Sequence, residues 1–193
     1  MAAATAPTVL IVPGLRDHVD AHWQTLLALD LEAQRRQVKT VPPMGRNDLD
    51  CSTRVAAIER AAQAISGPIV VVAHSGGCVM VAHWARQTQR PVHAALLATP
   101  PDFEQAMPEG YPTIEALQAG GWLPVPREQL PFPSVVAASR DDPLGRYERI
   151  EELASDWGSL VVDLGLVGHL NPASGYGRWA RAESLIDRIS AGC

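Results

Sequence analysis

Three cysteines in 193 residues, Cys51, Cys78 and Cys193, are too few and too scattered to make a disulfide framework. No apolar run approaches the roughly 20 residues that a bilayer-spanning helix needs, which argues against a membrane protein. The basic residues form no block and the formal charge is −5, a balance that works against non-specific nucleic-acid binding. The opening stretch MAAATAPTVLIVPG has neither the basic start nor the apolar centre of a secretory signal, so the cytoplasm is the expected compartment. No cofactor is expected either. The Walker A signature is absent after the glycines at 76 and 77, and Gly175-Tyr176-Gly177 comes too late in the chain for a first dinucleotide-binding turn. His18 and His22 stand four apart, but no HExxH pattern or acidic or cysteine cluster accompanies them, and no metal site is expected.

What the chain does have is a steady alternation of two patterns. Hydrophobic residues make up 47% and charged residues 19%, which fits one soluble domain spanning residues 1–193. Short apolar runs recur at Thr8–Val12, Gln37–Val41, Pro68–Ala73, Val92–Ala98, Ser134–Ala138 and Ser159–Leu164. Most are continuously apolar, as expected of parallel strands covered on both faces. Helical spacing separates them; Val55, Ile58, Ala62 and Ile65, for example, fall on one face. The fold class is therefore α/β, an open parallel sheet with helices on both sides. The stretch Pro100–Pro133 breaks the rhythm with prolines and glycines around one helical fragment, and is expected to cap the sheet edge above the fourth strand.

One junction in this alternation is chemically pointed. The run IVVVAHSGGCVMVAHW passes from a strand through His74-Ser75-Gly76-Gly77 directly into a helix. Residues 73–77 match G-x-S-x-G at the serine and at the last glycine, with the small Ala73 in place of the first. That motif is a strained strand-to-helix turn that lifts a serine above an α/β sheet. The plain alternative is that Ser75 only caps the following helix. A nucleophilic serine needs a base, and the base needs an orienting acid. Two later strand ends supply them in the order Ser, Asp, His: the fifth runs into Asp141-Asp142-Pro143, the sixth into Gly168-His169-Leu170-Asn171. The residues alone leave Asp141 and Asp142 as competitors for the acid.

An attacked carbonyl would also need backbone N–H donors. Gly76, next after the serine, is one; Leu15, in the Pro-Gly loop after the first strand, is the leading second, with Arg16 as runner-up. His18 is placed at the entrance, while Phe103, Met107, Trp122 and Phe132 in the irregular insert are candidates to line an acyl pocket. Cys78 reads as a small buried filler. The larger residue common at position 76 is missing, which is expected to open space beside the serine.

These segments, VLIVPG, His22-Trp23, VVAHSGGC, ASRDDP and GHLNPASGYGRW, resemble the small serine-hydrolase family that contains retinoblastoma-binding serine hydrolase and the bacterial YdeN-like proteins. The resemblance spans nearly the whole chain. It implies a compact α/β-hydrolase without a large lid and, with the strand reading, six parallel strands in the order 2-1-3-4-5-6. Its S-x-x-D-P pattern assigns the acid to Asp142, its nucleophile falls on Ser75, and its G-H-x-N base falls on His169. The expected activity is hydrolysis of small soluble carboxylic esters through an acyl-enzyme. Amide hydrolysis and a non-catalytic protein-binding role on the same fold are the alternatives, so a protein partner stays open.

Overall fold

The computed structural model describes residues 6–191, so the first five residues, Gly192 and Cys193 lie outside the described part. Six strands, β1 (Thr8–Val12), β2 (Val38–Thr40), β3 (Ile69–His74), β4 (Ala94–Ala98), β5 (Ser134–Ala138) and β6 (Leu160–Asp163), form one parallel sheet in the order β2-β1-β3-β4-β5-β6. This is the expected order. It reverses direction between β1 and β3, the place where open α/β sheets bind ligands at the carboxyl ends of their strands. Five of the six helices connect these strands: α1 (Trp23–Ala33), α2 (Cys51–Gln63), α3 (Gly76–Ala85), α4 (Ile114–Ala119) and α5 (Tyr147–Asp156); α6 (Arg181–Ser190) follows β6. Among the described residues no helix is long and apolar enough to cross a membrane.

Two apolar layers hold the sheet. Val9, Ile11, Val70, Val72 and Leu96 face Trp23, Leu27, Leu31, Leu185 and Ile186 of α1 and α6. Leu10, Val12, Val71, Ala73 and Leu97 face Val55, Ile58, Val79 and Trp84 of α2 and α3. Successive strand residues point to opposite faces, and both faces are covered, so the strands read as unbroken apolar runs. The edge strand β6 departs from this: paired with β5 on one side only, it leaves Leu160 65% exposed.

The helices start where the local chemistry allows. Asp50 caps α2 through Oδ1, which accepts from the backbone N–H groups of Ser52 and Thr53, and Thr113 caps α4 by accepting from Ala116. Gln24, buried in the first turn of α1, donates from Nε2 to the carbonyls of both Val12 and Val72 at 3.1 Å, which fixes α1 against the ends of β1 and β3. The last helix begins only at Arg181. Trp179 meets the ring of Trp23 edge to face at 4.8 Å, and Arg178 pairs with Asp30, so this stretch packs on α1 before the helix starts.

Candidate active site

At the end of β3 the chain turns on Ser75, whose φ of 54° and ψ of −134° put a non-glycine residue in a strained conformation. Its side chain makes no capping bond to α3, so the plain capping role does not hold. The turn is held from both sides. Ser75 N donates to the Ala98 carbonyl of β4 at 3.0 Å, and Cys78 N donates to the Ser75 carbonyl at 2.8 Å. At Gly77 a Cβ would lie 2.6 Å from the Val12 carbonyl oxygen, so only glycine lets α3 start this close to β1.

The hydroxyl that this turn presents meets a histidine. His169 Nε2 lies 2.8 Å from Ser75 Oγ, across 94 positions of sequence. The other ring nitrogen, Nδ1, donates to the Asp142 carboxylate, at 3.0 Å from Oδ1 and 2.9 Å from Oδ2. With the proton held on Nδ1, the lone pair of Nε2 faces the serine hydroxyl. Asp142 and His169 side chains are only 3% and 5% exposed, so little water competes for their bond.

The loops carrying these groups are themselves tied. Asp142 Oδ1 also accepts from Leu144 N at 2.9 Å. Asp141 points elsewhere. Its Oδ1 accepts from Ser139 Oγ at 2.9 Å and from Gly168 N at 2.7 Å, joining the loop after β5 to the loop after β6 and holding the carboxyl below its usual range. Beyond His169, Asn171 Oδ1 accepts from both Ser174 N and Ser174 Oγ, and Ser174 Oγ accepts from His169 N. The G-H-x-N-P-x-S spacing is thus a loop lock, a role that the sequence analysis did not assign.

The Pro-Gly loop after β1 crosses directly over the serine. A Cβ on Gly14 would lie 2.9 Å from Ser75 Cβ, so the close approach expected of this glycine is present. Arg16 N donates to the Gly14 carbonyl at 3.0 Å, which engages the runner-up donor and leaves Leu15 as the better candidate. Gly76 lies in the first turn of α3, where N–H groups have no partner within the helix. The open space expected beside Gly76 is filled: a Cβ there would meet Leu15 Cγ at 3.1 Å and Phe103 Cζ at 3.4 Å.

A cavity of about 220 Å³ opens at Ser75 and His169, bordered by Leu15, Arg16, His22, Arg46, His74 and Tyr111 among others. None of the five side chains expected to line it does so. Phe103, Trp122 and Phe132 are buried in the core between the insert and the sheet, with Met107 packed against that core. Trp122 donates from its indole to the Leu49 carbonyl and meets Phe103 edge to face at 5.4 Å. These aromatics anchor the proline-rich insert; it reaches the cavity through Tyr111 instead. His18 stays on the surface beside Asp20 at 2.9 Å, and the histidine on the cavity wall is His22. Cys78 is fully buried, as expected of a filler.

His22 and His74, missing from the sequence-based candidates, form a wall of neutral rings. His22 Nδ1 accepts from Gln24 N, so its proton sits on Nε2; His74 Nε2 donates to the His169 carbonyl at 3.0 Å. Burial pushes His22 down to about 3, with repulsion from Arg16 and His169 adding to it. Burial likewise takes His74 well below the usual histidine range, followed by the charges of His169 and His22. In the unfolded chain both would take up protons near pH 6.5. The unfolded state therefore binds more protons as pH falls below about 6.5, and stability drops from there toward about 3. The expected slope is up to about 1.4 kcal/mol per pH unit for each ring that stays neutral. Urea melts at about pH 7 and pH 5 check this: His22→Asn, which keeps an acceptor for Gln24, should lose less stability across the interval than the parent.

Set beside known proteins, the chain matches the serine hydrolase family model over residues 9–188. No curated protein matches it. Among solved structures it is similar to a protein named as a YdeN-like hydrolase from Pectobacterium atrosepticum, at 26% identity and a TM-score of 0.75, covering 95% of this chain and 90% of that one. The ydeN gene product of B. subtilis aligns at 15% identity and a TM-score of 0.76, covering 96% and 99% of the two chains. Est1E from Butyrivibrio proteoclasticus, in its structure with ferulic acid bound, aligns at 13% identity and a TM-score of 0.69, covering 98% and 89%. A serine on a strained strand-to-helix turn, the order of the sheet and a family match across nearly the full length agree: the chain belongs to the serine hydrolase family, on an α/β-hydrolase fold.

Proposed function

We propose that the protein hydrolyses small carboxylic esters through an acyl-enzyme on Ser75. The observation that carries this reading is the 2.8 Å approach of His169 Nε2 to Ser75 Oγ, with Asp142 on the far nitrogen. Ser75 Oγ attacks the ester carbonyl as its proton passes to His169 Nε2, and Asp142 stabilises the imidazolium that results. The carbonyl oxygen takes the negative charge and is met by the N–H groups of Gly76 and Leu15. When the tetrahedral adduct collapses, the C–O bond to the alcohol breaks and His169 returns its proton to the departing oxygen. Water then gives a proton to His169 and attacks the acyl-enzyme; collapse releases the acid and restores the Ser75 hydroxyl.

The strain at Ser75 favours this reading over a purely binding role, because a backbone held at φ 54° costs stability and such strained residues concentrate where they hold a reacting group in place. Small esters fit the cavity of about 220 Å³ better than long lipids do. Rapid mixing with short p-nitrophenyl esters, alongside a panel of aminoacyl amides and peptides, tests the proposal. The expected result is a burst of p-nitrophenol equal to the enzyme concentration, with esters turned over faster than amides. Selective turnover of aminoacyl amides would move the reading to an amidase. Absence of Ser75-dependent turnover on every member would leave the protein-binding role.

A further inference from the structure

We infer that the ester substrate carries a carboxylate, which Arg16 and Arg46 receive at the mouth of the Ser75 cavity; this rests on the ester-hydrolase reading. The chain as a whole is acidic, with a formal charge of −5. Its candidate active-site cavity is the reverse: two arginines border it and, among the described residues, no aspartate or glutamate does. Asp142 is engaged with His169, and the Asp17 carboxylate lies beside Gly45 and not among the residues that border the cavity. Burial disfavours charge on His22 and His74, so the two guanidinium groups are the permanent positive charges among the residues bordering the cavity.

Neither arginine has an internal anion to answer. Among the described residues no carboxylate pairs with Arg16 or with Arg46. Arg16 donates from one terminal nitrogen to the Asp17 carbonyl at 2.9 Å, while its Nε–H is out of contact with solvent and has no hydrogen-bond partner in the protein. A charged donor withdrawn from water without an acceptor is unfavourable. Burial of this group lowers its pKa to about 10, which leaves it charged near neutrality.

The scaffold fixes the two loops that carry the arginines. Gly45, at φ 75°, donates its N–H to the Arg16 carbonyl at 3.1 Å, which ties the Arg46 loop to the loop over the serine. Behind it, the buried Arg54 donates to the carbonyls of Gly45 and Asp48 and clamps the same loop. Arg46 lies over the Tyr111 ring at 5.9 Å to its centre, with both residues on the cavity wall. A planar guanidinium fork matches a carboxylate in two parallel hydrogen bonds, and a cavity of about 220 Å³ limits the chain between that carboxylate and the scissile ester to a few carbons.

The test compares p-nitrophenyl hemiglutarate with its uncharged methyl-capped counterpart, with spontaneous hydrolysis subtracted. In wild type the hemiglutarate should show a kcat/KM at least about tenfold higher, and the preference should shrink as salt rises. Arg16→Gln should remove most of the preference, read as the ratio of kcat/KM for the two esters within the same variant, and Arg16→Lys should restore part of it. If Arg16→Gln does not fold, Arg46→Gln at the exposed rim carries the same comparison. Equal kcat/KM for the two esters in wild type would overturn the proposal while leaving the hydrolase reading intact. Binding of the same pair to Ser75→Ala gives a readout free of turnover. At least about tenfold tighter binding of the hemiglutarate, lost in Ser75→Ala/Arg16→Gln, would support the anion site even if wild type hydrolysed neither ester. Equal binding would overturn it.

Discussion

Asp142→Asn is expected to lower kcat/KM on a short p-nitrophenyl ester by about 10³–10⁴-fold, and Asp141→Asn by less than about tenfold. The two residues are adjacent but hold different partners. An asparagine at 142 would present its amide N–H to His169 Nδ1, drive the ring proton onto Nε2, and leave no lone pair facing Ser75 Oγ. Asparagine at 141 still offers an oxygen to Ser139 Oγ and Gly168 N, so the tie between the two loops weakens without breaking. Its effect should fall on stability, at about 1 kcal/mol, the usual worth of such a bond. Steady-state kinetics with urea melts on both variants separates the two roles. A larger loss of turnover at position 141 would reverse the assignment of the acid.

Ser75→Gly is expected to be inactive and yet more stable than Ser75→Ala. Both changes remove the hydroxyl, and with it the bond to His169 Nε2. Only glycine also relieves the φ of 54°, a strain of about 1–3 kcal/mol at such positions, less the 0.5–1 kcal/mol or so that glycine's unfolded-state entropy takes back. The net gain of roughly 1 kcal/mol corresponds to a Tm about 2–4 °C above that of Ser75→Ala for a chain of this length. Turnover should fall by about 10⁴-fold or more in both. Differential scanning calorimetry decides the point, and a Ser75→Gly protein that melts below Ser75→Ala would show that the turn is not strained.

Much of this architecture is visible in residue order because parallel strands announce themselves. Val70, Val71 and Val72 are apolar in succession since each face of β3 meets a helix layer, and Ser75 follows at the rim where β5 and β6 also end. The choice between Asp141 and Asp142 is a different matter. Neighbouring carboxylates in a turn differ only in direction, and direction is set by which groups across the gap, Gly168 N or His169 Nδ1, each one meets. The family pattern separated them where composition and spacing could not. The cavity wall was least legible. Phe103, Trp122 and Phe132 are large apolar residues in a proline-rich loop, and such residues serve equally to line a pocket or to nail the loop down; here they do the second. His22, one turn of sequence beyond His18, takes the wall position because its Nδ1 is tied to the start of α1, while His18 stands in the exposed loop before it. Arg16 was considered only for its backbone N–H, and its side chain gained significance from the company of Arg46, thirty positions away and joined to it through Gly45.

The claim on which the rest depends is that Ser75 is a nucleophile activated by His169. Reaction with a fluorophosphonate, followed by intact mass and peptide mapping, tests it most directly, since such a probe forms its bond only with an activated hydroxyl. The account predicts one adduct per chain, located on Ser75, absent in Ser75→Ala and formed at least about 10³-fold more slowly in His169→Gln. An unmodified wild-type chain, or an adduct on any residue other than Ser75, would contradict it.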